Sequence, residues 1–278
     1  TAYENDENAK LEIIEINKNL YARSDEKLNA LRDAGIATSK RHLDDICRIL
    51  GTTFDLEIFE SEAAPLGVQL VKDHIEDGIF ELSDGATIFA GEKYGLHTRV
   101  FLNSAGLPTY EAKDLGNFAL KYKAYPDATH YFVITGSEQS EYFKVVIAAI
   151  KQVFAEAAGK TIRHVANPFL TLTTGKMSSR LGNVLTGEDL LEELQVSAKD
   201  RAAESRAEDI EKLAQEVSVA ALKYQILKQG SNKSIVFDKE RALSLEGDSG
   251  PYLQYAHARA HQIVDRAKAE SIAPAVDY

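Results

Sequence analysis

The chain has 278 residues, with 32 Lys and Arg against 43 Asp and Glu, a formal net charge of −11, and 44% hydrophobic residues. Together with 17 Gly and only 6 Pro, this composition excludes a disordered, collagenous or low-complexity protein. No apolar run approaches the roughly 18 residues of a membrane span, so we expect no membrane partner. The acidic balance argues against nucleic-acid binding mainly by phosphate neutralisation, although it allows a local basic groove.

Cysteine and methionine are unusually rare in this sequence. The one cysteine, Cys47, excludes an internal disulfide and a zinc site built from several cysteines. A single thiol fits a reducing compartment, and we expect a cytoplasmic protein. The chain starts at Thr1 and its one methionine is Met177, which favours a processed chain or a piece of a longer protein.

The first hundred residues change from a helical to a strand pattern. Hydrophobic spacing predicts helices over most of the first fifty residues, a strand over 54–59 and a helix over about 66–75. An Asp84-Gly85 turn between two short apolar runs predicts a β-hairpin. Another strand is predicted over 98–102.

The following elements alternate and then become helical. The pattern predicts a helix over 110–122, a buried strand over 130–134 and a helix over 140–158. The last of these carries an apolar stripe that we interpret as core: Phe143, Val146, Ile147, Ile150 and Phe154. The remaining predicted elements are strands over 163–165 and 169–172 and helices over 188–194, 202–228 and 256–269.

This alternation predicts the fold class. Strands alternating with helices indicate an α/β fold with a Rossmann-like parallel sheet, incomplete in this chain, and a small β-hairpin insertion around 79–103. The last third predicts a mostly helical C-terminal part.

One glycine-led loop concentrates cations and hydroxyls. It consists of Gly175, Lys176, Met177, Ser178, Ser179 and Arg180. Hydroxyl and exposed N–H groups can donate to phosphate oxygens, and Lys and Arg add charge-assisted bonds. From composition alone, a solvated turn with two surface cations is the commoner explanation.

Tyr110 and Asp114 are four residues apart on a predicted helix and therefore share one face. A carboxylate can accept a planar guanidinium through two hydrogen bonds, so Asp114 suits a guanidinium better than an amine, with Tyr110 offering a ring or hydroxyl beside it. From spacing alone, the alternative is a surface pair of Asp114 with Lys113 or Lys121, with Tyr110 in the core.

Five further polar side chains stand near predicted strand ends, where open α/β sheets bind ligands. Gln139 lies at a strand-to-helix turn, Glu60 and Ser61 follow another predicted strand, and His164 and Asn167 lie in or just after a short one. Solvated helix starts and a structural histidine explain these positions as well.

Four separated segments, in the same order, resemble the arginyl-tRNA synthetase family of class I aminoacyl-tRNA synthetases. They are GLPTYEAKDLG at 106–116, the turn at 136–143, the loop at 175–185, which is similar to the KMSKS loop, and GDSGPYLQYAHAR at 247–259. The segment from Phe54 to Ser61 also fits, so the resemblance covers nearly the whole chain.

The resemblance implies a ligase that activates arginine with ATP and Mg²⁺ and transfers it to tRNA(Arg). It implies that the catalytic residues are Lys176, Ser178, Ser179 and Arg180. It implies that ATP is bound by Gly175, Lys176, Met177, His164 and Asn167. It implies that arginine is bound by Tyr110, Asp114 and Gln139, and it implies no metal-ligating side chains.

The resemblance also implies a division of the chain: a catalytic domain over 1–187, a helical connector over 188–246 and the start of an anticodon-binding domain over 247–278.

The sequence departs from the family pattern in two places. The family's HIGH signature has no match, and Ser179 replaces the second lysine of KMSKS, followed by Arg180 and Leu181. We therefore expect this chain alone to be inactive, and favour a monomer. The alternative is a synthetase-derived, non-catalytic module that binds tRNA or a protein.

Overall fold

A computed structural model gives the fold of two compact units, Thr1–Phe54 and Asp55–Tyr278. The structure describes residues 5–168, 170–172, 186–202, 207–231 and 233–272, without the side chains of Tyr21 and Leu172.

The first unit consists of two helices, α1 (Glu7–Ala22) and α2 (Glu26–Ile49). Each helix is started by an aspartate, Asp6 or Asp25, whose carboxylate accepts hydrogen bonds from backbone amides of the first turn. Between them the chain turns at Arg23, with φ 54°. The helices predicted for the first fifty residues are confirmed.

The second unit is α/β in its first part and mostly helical in its last. Its elements are α3 (Glu60–Asp73), β1 (Glu81–Ser83), β2 (Ala86–Phe89), β3 (Arg99–Leu102), α4 (Tyr110–Ala124), β4 (His130–Gly136), α5 (Ser140–Val153), β5 (Thr161–Asn167), β6 (Leu170–Leu172), α6 (Gly187–Ala202), α7 (Ile210–Leu227), β7 (Ile235–Phe237), α8 (Lys239–Ala242) and α9 (Gly250–Ala269). In the described ranges, no helix combines the length and apolar character that crossing a bilayer requires.

The strands form three small sheets. Strands β1, β2 and β3 are antiparallel, and the predicted hairpin turns at Asp84 and Gly85, both with positive φ. Strands β4 and β5 are parallel, with Gly136 opposite Asn167 at their carboxyl ends. Strands β6 and β7 also pair in parallel. The segments that follow β4 and β5 therefore begin side by side at the same edge of this sheet.

The strand predicted over 54–59 is wrong. The segment is irregular, and α3 begins at Glu60 instead of near residue 66. The Glu62 carboxylate accepts a hydrogen bond from the Phe59 backbone amide, at 2.8 Å, and this contact closes the first helical turn. An alternating apolar pattern needs a partner strand, and none of the described strands pairs with this segment.

The prediction that β4 is buried is wrong for one of its faces. Tyr131 is buried, but Phe132 and Ile134 keep 52% and 63% of their surface exposed. Among the described strands β4 pairs only with β5, so part of its apolar surface is left uncovered.

Two helix starts also differ from prediction. Helix α7 begins at Ile210, after Asp209 accepts from the backbone amide of Lys212. Helix α9 begins at Gly250 because Ser249 caps it and Pro251 fits the first turn. The predicted start at 256 is therefore six residues too late.

Helix α4 packs against the hydrophobic core and against α3. The predicted apolar stripe of α5 supplies three of the core's buried side chains, Phe143, Val146 and Ile150. Helices α3 and α4 cross closely at Gly67 and Gly116. A Cβ atom on Gly116 would lie 2.0 Å from the Ala63 carbonyl oxygen, and one on Gly67 would lie 1.8 Å from that of Ala112. Glycine is therefore required at both positions.

Candidate active site

A cavity of about 530 Å³ lies in the second unit between α4, α5, β4 and the segment before α3. Its walls are mostly apolar and aromatic, and one face of α4 supplies three polar side chains, Asp114, Asn117 and Lys121. Spacings of three and four residues place them on adjacent turns of that face. An apolar cavity with a few convergent polar groups is the usual form of a small-molecule site.

Asp114 is partly buried in this cavity and is held by a tyrosine. The Tyr142 hydroxyl, on α5, donates to Asp114 Oδ2 at 2.5 Å. Burial raises the pKa of Asp114, while hydrogen bonds from Tyr142 and Asn117 and the charge of Lys121 oppose that rise. The carboxylate is thus only partly compensated by its surroundings, and a cationic ligand group would favour its charged form.

The Arg99–Glu111 ion pair lies next to the Tyr142 ring. Arg99 Nη1, on β3, lies 3.0 Å from Glu111 Oε1 on α4, and Glu111 is buried. The Arg99 guanidinium also lies 5.2 Å from the centre of the Tyr142 ring. Burial, and secondarily the nearby Asp114 charge, raises the pKa of the Tyr142 hydroxyl, which therefore remains a proton donor at neutral pH. This network restrains Tyr142 and, through it, Asp114.

Tyr110 lies apart from the cavity. Its side chain is 68% exposed, and its ring centre is 4.9 Å from Lys113 Nζ. Lys113 also pairs with Glu60 at 2.8 Å. Asp114 therefore does not form the surface pair with Lys113 that spacing alone allowed, and Tyr110 is not core. The structure brings Asp114 to the cavity but not Tyr110, Glu60 or Ser61.

The carboxyl ends of β4 and β5 hold the other predicted residues. His164 contacts Thr135 Oγ1 through Nε2, at 2.8 Å, and stacks on Phe143 with ring centres 4.7 Å apart. Burial lowers the pKa of His164, which favours its neutral form. Asn167 is the exposed last residue of β5, and Gln139 is the N-cap of α5. Phe143 also lines the cavity, so His164 lies directly behind its wall.

The glycine-led loop lies outside the described residues, so the structure says nothing of its predicted roles. These positions are Gly175, Lys176, Met177, Ser178, Ser179 and Arg180. In the part of the chain that is described, no group of three or more His, Cys, Asp or Glu side chains is placed to hold a metal ion.

Sequence reasoning missed three residues that the structure brings to Asp114 or to its support. They are Asn117, Tyr142 and Arg99, whereas Lys121 was already named as a possible partner of Asp114 and lines the same cavity. Asn117 carried a usable signal, since it lies three residues after Asp114 on the same helix face. Tyr142 and Arg99 come from other elements, and no local spacing connects them to Asp114.

Comparison with known proteins shows which family this chain resembles in sequence. The model of the catalytic domain of class I tRNA synthetases (R) matches residues 1–239. An arginine–tRNA ligase of Borreliella afzelii is 32% identical over 235 residues, which cover 81% of this chain and 40% of that protein. That of Flavobacterium psychrophilum is 31% identical over 78% of this chain and 37% of its own length. The chain thus spans about two fifths of the length of these relatives.

Solved structures agree with this match. The arginyl-tRNA synthetase of Thermus thermophilus superposes with a TM-score of 0.72 at 25% identity, covering 96% of this chain and 50% of that one. The enzyme of Plasmodium falciparum shares the fold, with a TM-score of 0.73 at 21% identity over 87% of this chain and 42% of its own. The predicted α/β fold class is confirmed. Because the family model covers most of its length, the chain belongs to the class I arginyl-tRNA synthetase family.

Proposed function

We propose that the protein acts as an arginine–tRNA ligase, in which Asp114 binds the guanidinium of arginine. The observation that carries this proposal is the partly buried Asp114 carboxylate, which faces a mostly apolar cavity and has a pKa raised by burial. A guanidinium presents paired N–H donors that match the two oxygens of a carboxylate, and it keeps its charge when it leaves water. The relatives that match the chain are arginine–tRNA ligases.

The reaction first joins the arginine carboxylate to the AMP part of ATP and releases pyrophosphate, and arginine is then transferred to tRNA(Arg). One oxygen of the arginine carboxylate attacks the α-phosphorus, and the bond from that phosphorus to the pyrophosphate oxygen breaks. The protein positions the two substrates and balances the charge that develops on pyrophosphate. Asp114 contributes by fixing the far end of arginine, and Tyr142 by fixing the carboxylate of Asp114.

The nucleotide side of the proposal rests on the family. Lys176 and Arg180 are proposed to neutralise the charge of the departing pyrophosphate, and Ser178 and Ser179 to donate hydrogen bonds to it. Gly175, Lys176, Met177, His164 and Asn167 are proposed to bind ATP. Stacking on Phe143 and the contact with Thr135 give His164 a fixed orientation beside the cavity. Mg²⁺ would be carried by the ATP phosphates, as is usual for this ion. Gln139 and Tyr110 are proposed as further arginine-binding residues on the resemblance alone, because neither lines the cavity around Asp114.

The remaining proposals concern the setting of the reaction. We propose a catalytic domain over 1–187 with the KMSKS-like loop at its end, a helical connector over 188–246, and the beginning of an anticodon-binding domain over 247–278. A monomeric protein of the cytoplasm is proposed.

The test uses the protein made from the whole open reading frame. Asp114→Ala should lower arginine-dependent aminoacylation on the order of 100-fold or more, because the guanidinium would lose its counter-charge in a partly buried site. Steady-state kinetics with tRNA(Arg) measure the effect. Asp127→Ala, in the exposed loop after α4, is the matched control and should leave the kinetics unchanged. Equal activity of both variants would remove Asp114 from the site.

The 278-residue chain itself should show little arginine-dependent exchange of pyrophosphate into ATP, even with tRNA(Arg) present. The family's HIGH histidines, which hold the ATP phosphates, have no counterpart in this sequence. Robust exchange by this chain would contradict the importance of that motif. Arginine or tRNA binding without exchange would agree with a catalytic domain that lacks part of its ATP site.

A further inference from the structure

Lys121 places a half-buried ammonium in the cavity that contains Asp114. It lies seven residues after Asp114 on α4, two helical turns or about 10 Å along the axis, on the same wall of the cavity. Among the described residues, Lys121 Nζ makes no ion pair within 4 Å and no hydrogen bond. Burial lowers the pKa of Lys121, and the charge of Asp114 opposes that change. The cavity therefore contains a carboxylate and an ammonium that interact through space without forming an ion pair.

The other titratable side chains of the cavity wall lie nearer to water. Asp55 precedes α3 and His130 begins β4, and both residues are exposed. Solvent therefore screens their charges more strongly than those of Asp114 and Lys121. A ligand in this cavity meets the Asp114 carboxylate and the Lys121 ammonium with the least screening.

The position of Lys121 shows which part of an arginine ligand it faces. Tyr142, which donates to Asp114, lies in the first turn of α5, after the carboxyl end of β4, and His164 lies beside that end. Lys121 lies toward the opposite end of β4, because α4 ends three residues later and the chain then enters β4. In the proposed reaction the arginine carboxylate points to ATP, at the carboxyl ends of the strands. The Lys121 ammonium therefore acts on the guanidinium at Asp114 and not on the carboxylate of the ligand.

We infer that Lys121 sets the affinity of the arginine site by opposing the guanidinium, because the two cations share the Asp114 carboxylate. The inference rests on the proposed function of Asp114. Like charges repel one another more strongly in a partly buried cavity than in water. While the cavity is empty, the same ammonium has the opposite effect: its charge lowers the pKa of Asp114 and so favours the ionised carboxylate that a cation requires. Lys121 thus favours a charged empty site and weakens the binding of arginine to it.

The test measures arginine binding by isothermal titration calorimetry, with the protein made from the whole open reading frame. Lys121→Met and Lys121→Gln both remove the charge, one with an apolar and one with a polar side chain. Both should tighten arginine binding on the order of fivefold, because the bound guanidinium loses a like-charged neighbour. In aminoacylation of tRNA(Arg), KM for arginine should fall by the same factor while kcat stays unchanged. Lys123→Met removes an exposed ammonium of the same helix outside the cavity and is the matched control, which should leave binding unchanged.

The outcomes separate this role from the proposed function. Arginine binding that is unchanged in Asp114→Asn contradicts the proposed function, whatever the lysine variants show. If Asp114→Asn loses binding, unchanged or weaker arginine binding in the Lys121 variants overturns only the role of Lys121; weaker binding would mean that the ammonium holds the ligand carboxylate.

Two further results would also overturn the role of Lys121. Tighter binding in Lys121→Met but not in Lys121→Gln would assign the gain to an apolar contact. An equal gain in Lys123→Met would assign it to the net charge of the protein. Should Lys121→Met fail to fold, Lys121→Gln decides alone, because an apolar contact cannot explain a gain in that variant.

Discussion

The α/β part and the helical C-terminal part of the second unit each hold an aspartate with a tyrosine hydroxyl, but they balance its charge in opposite ways. In the α/β part, Tyr142 donates to Asp114 inside a cavity, and burial raises the pKa of the carboxyl. In the helical part, Tyr224 donates to Asp248, and the Lys228 ammonium lies 3.2 Å from the same carboxylate. The pKa of Asp248 is lowered, mainly by the bond from Tyr224.

The difference shows which of the two carboxylates is not paired with a cation of the protein and can therefore pair with a cationic ligand. Asp248 lies at the surface, where Lys228 supplies a cation and Tyr224 a hydroxyl, and these contacts join α7 to the segment before α9. Asp114 has a donor but no ion pair within 4 Å among the described residues. The same aspartate–tyrosine contact therefore serves as a structural link in one region and as a ligand support in the other.

The α/β part also brings two helices together at Gly116, and the largest predicted effect concerns this contact. Gly116→Ala should destabilise the chain by about 3 kcal/mol, near the upper end of the usual cost of overpacking, because the new methyl group meets the rigid Ala63 carbonyl. Urea denaturation measures the change. Gly159→Ala, where nothing lies within 4 Å of the added atom, is the control and should be nearly neutral. Equal effects would mean that α3 and α4 can separate freely.

Local sequence patterns predicted α4 over 110–122, and the structure has this helix over Tyr110–Ala124. They also predicted the core stripe of α5 and the hairpin turn at Asp84, features that depend on neighbouring residues. The structure agrees with these predictions.

The contacts that complete the site could not be predicted in this way. Tyr142 reaches Asp114 across 28 residues, and Arg99 approaches from a β-strand, so both depend on tertiary packing. The strand prediction for 54–59 was wrong for a related reason. The apolar alternation of this segment is typical of a strand, but a strand forms only when a neighbouring strand pairs with it. Tyr110 shares a helix with Asp114, yet one turn of difference in position leaves it in solvent.

The next effect in size separates the two tyrosines. Tyr142→Phe should cost about 1–3 kcal/mol of unfolding free energy, because it removes the donor of a partly buried carboxylate, and it should raise the pKa of Asp114 further. Tyr224→Phe should cost less, since Asp248 keeps Lys228 and water. Urea denaturation and a carboxyl-carbon NMR titration measure both quantities. A larger loss for Tyr224→Phe would reverse the comparison.

The smallest predicted effect is a difference in pH dependence between the two aspartates. The folded pKa of Asp114 is raised, so its contribution to stability is fully present below the unfolded pKa, near 3.8, and is lost as the pH rises through the folded pKa. At pH 7, Asp114→Asn should therefore be slightly more stable than the unchanged chain, and this gain should disappear on acidification.

Asp248 should behave with the opposite sign. Its folded pKa is lowered, so its stabilising contribution is present above 3.8 and is lost as the pH falls through the folded value. Asp248→Asn should be less stable at pH 7, with the deficit shrinking in acid. Thermal melting of both variants between pH 7 and the lowest pH at which the chain stays folded gives the two curves. If both variants lost stability at pH 7, the Asp114 carboxylate would be fully compensated by its own protein, and the argument that it waits for a guanidinium would lose its physical basis.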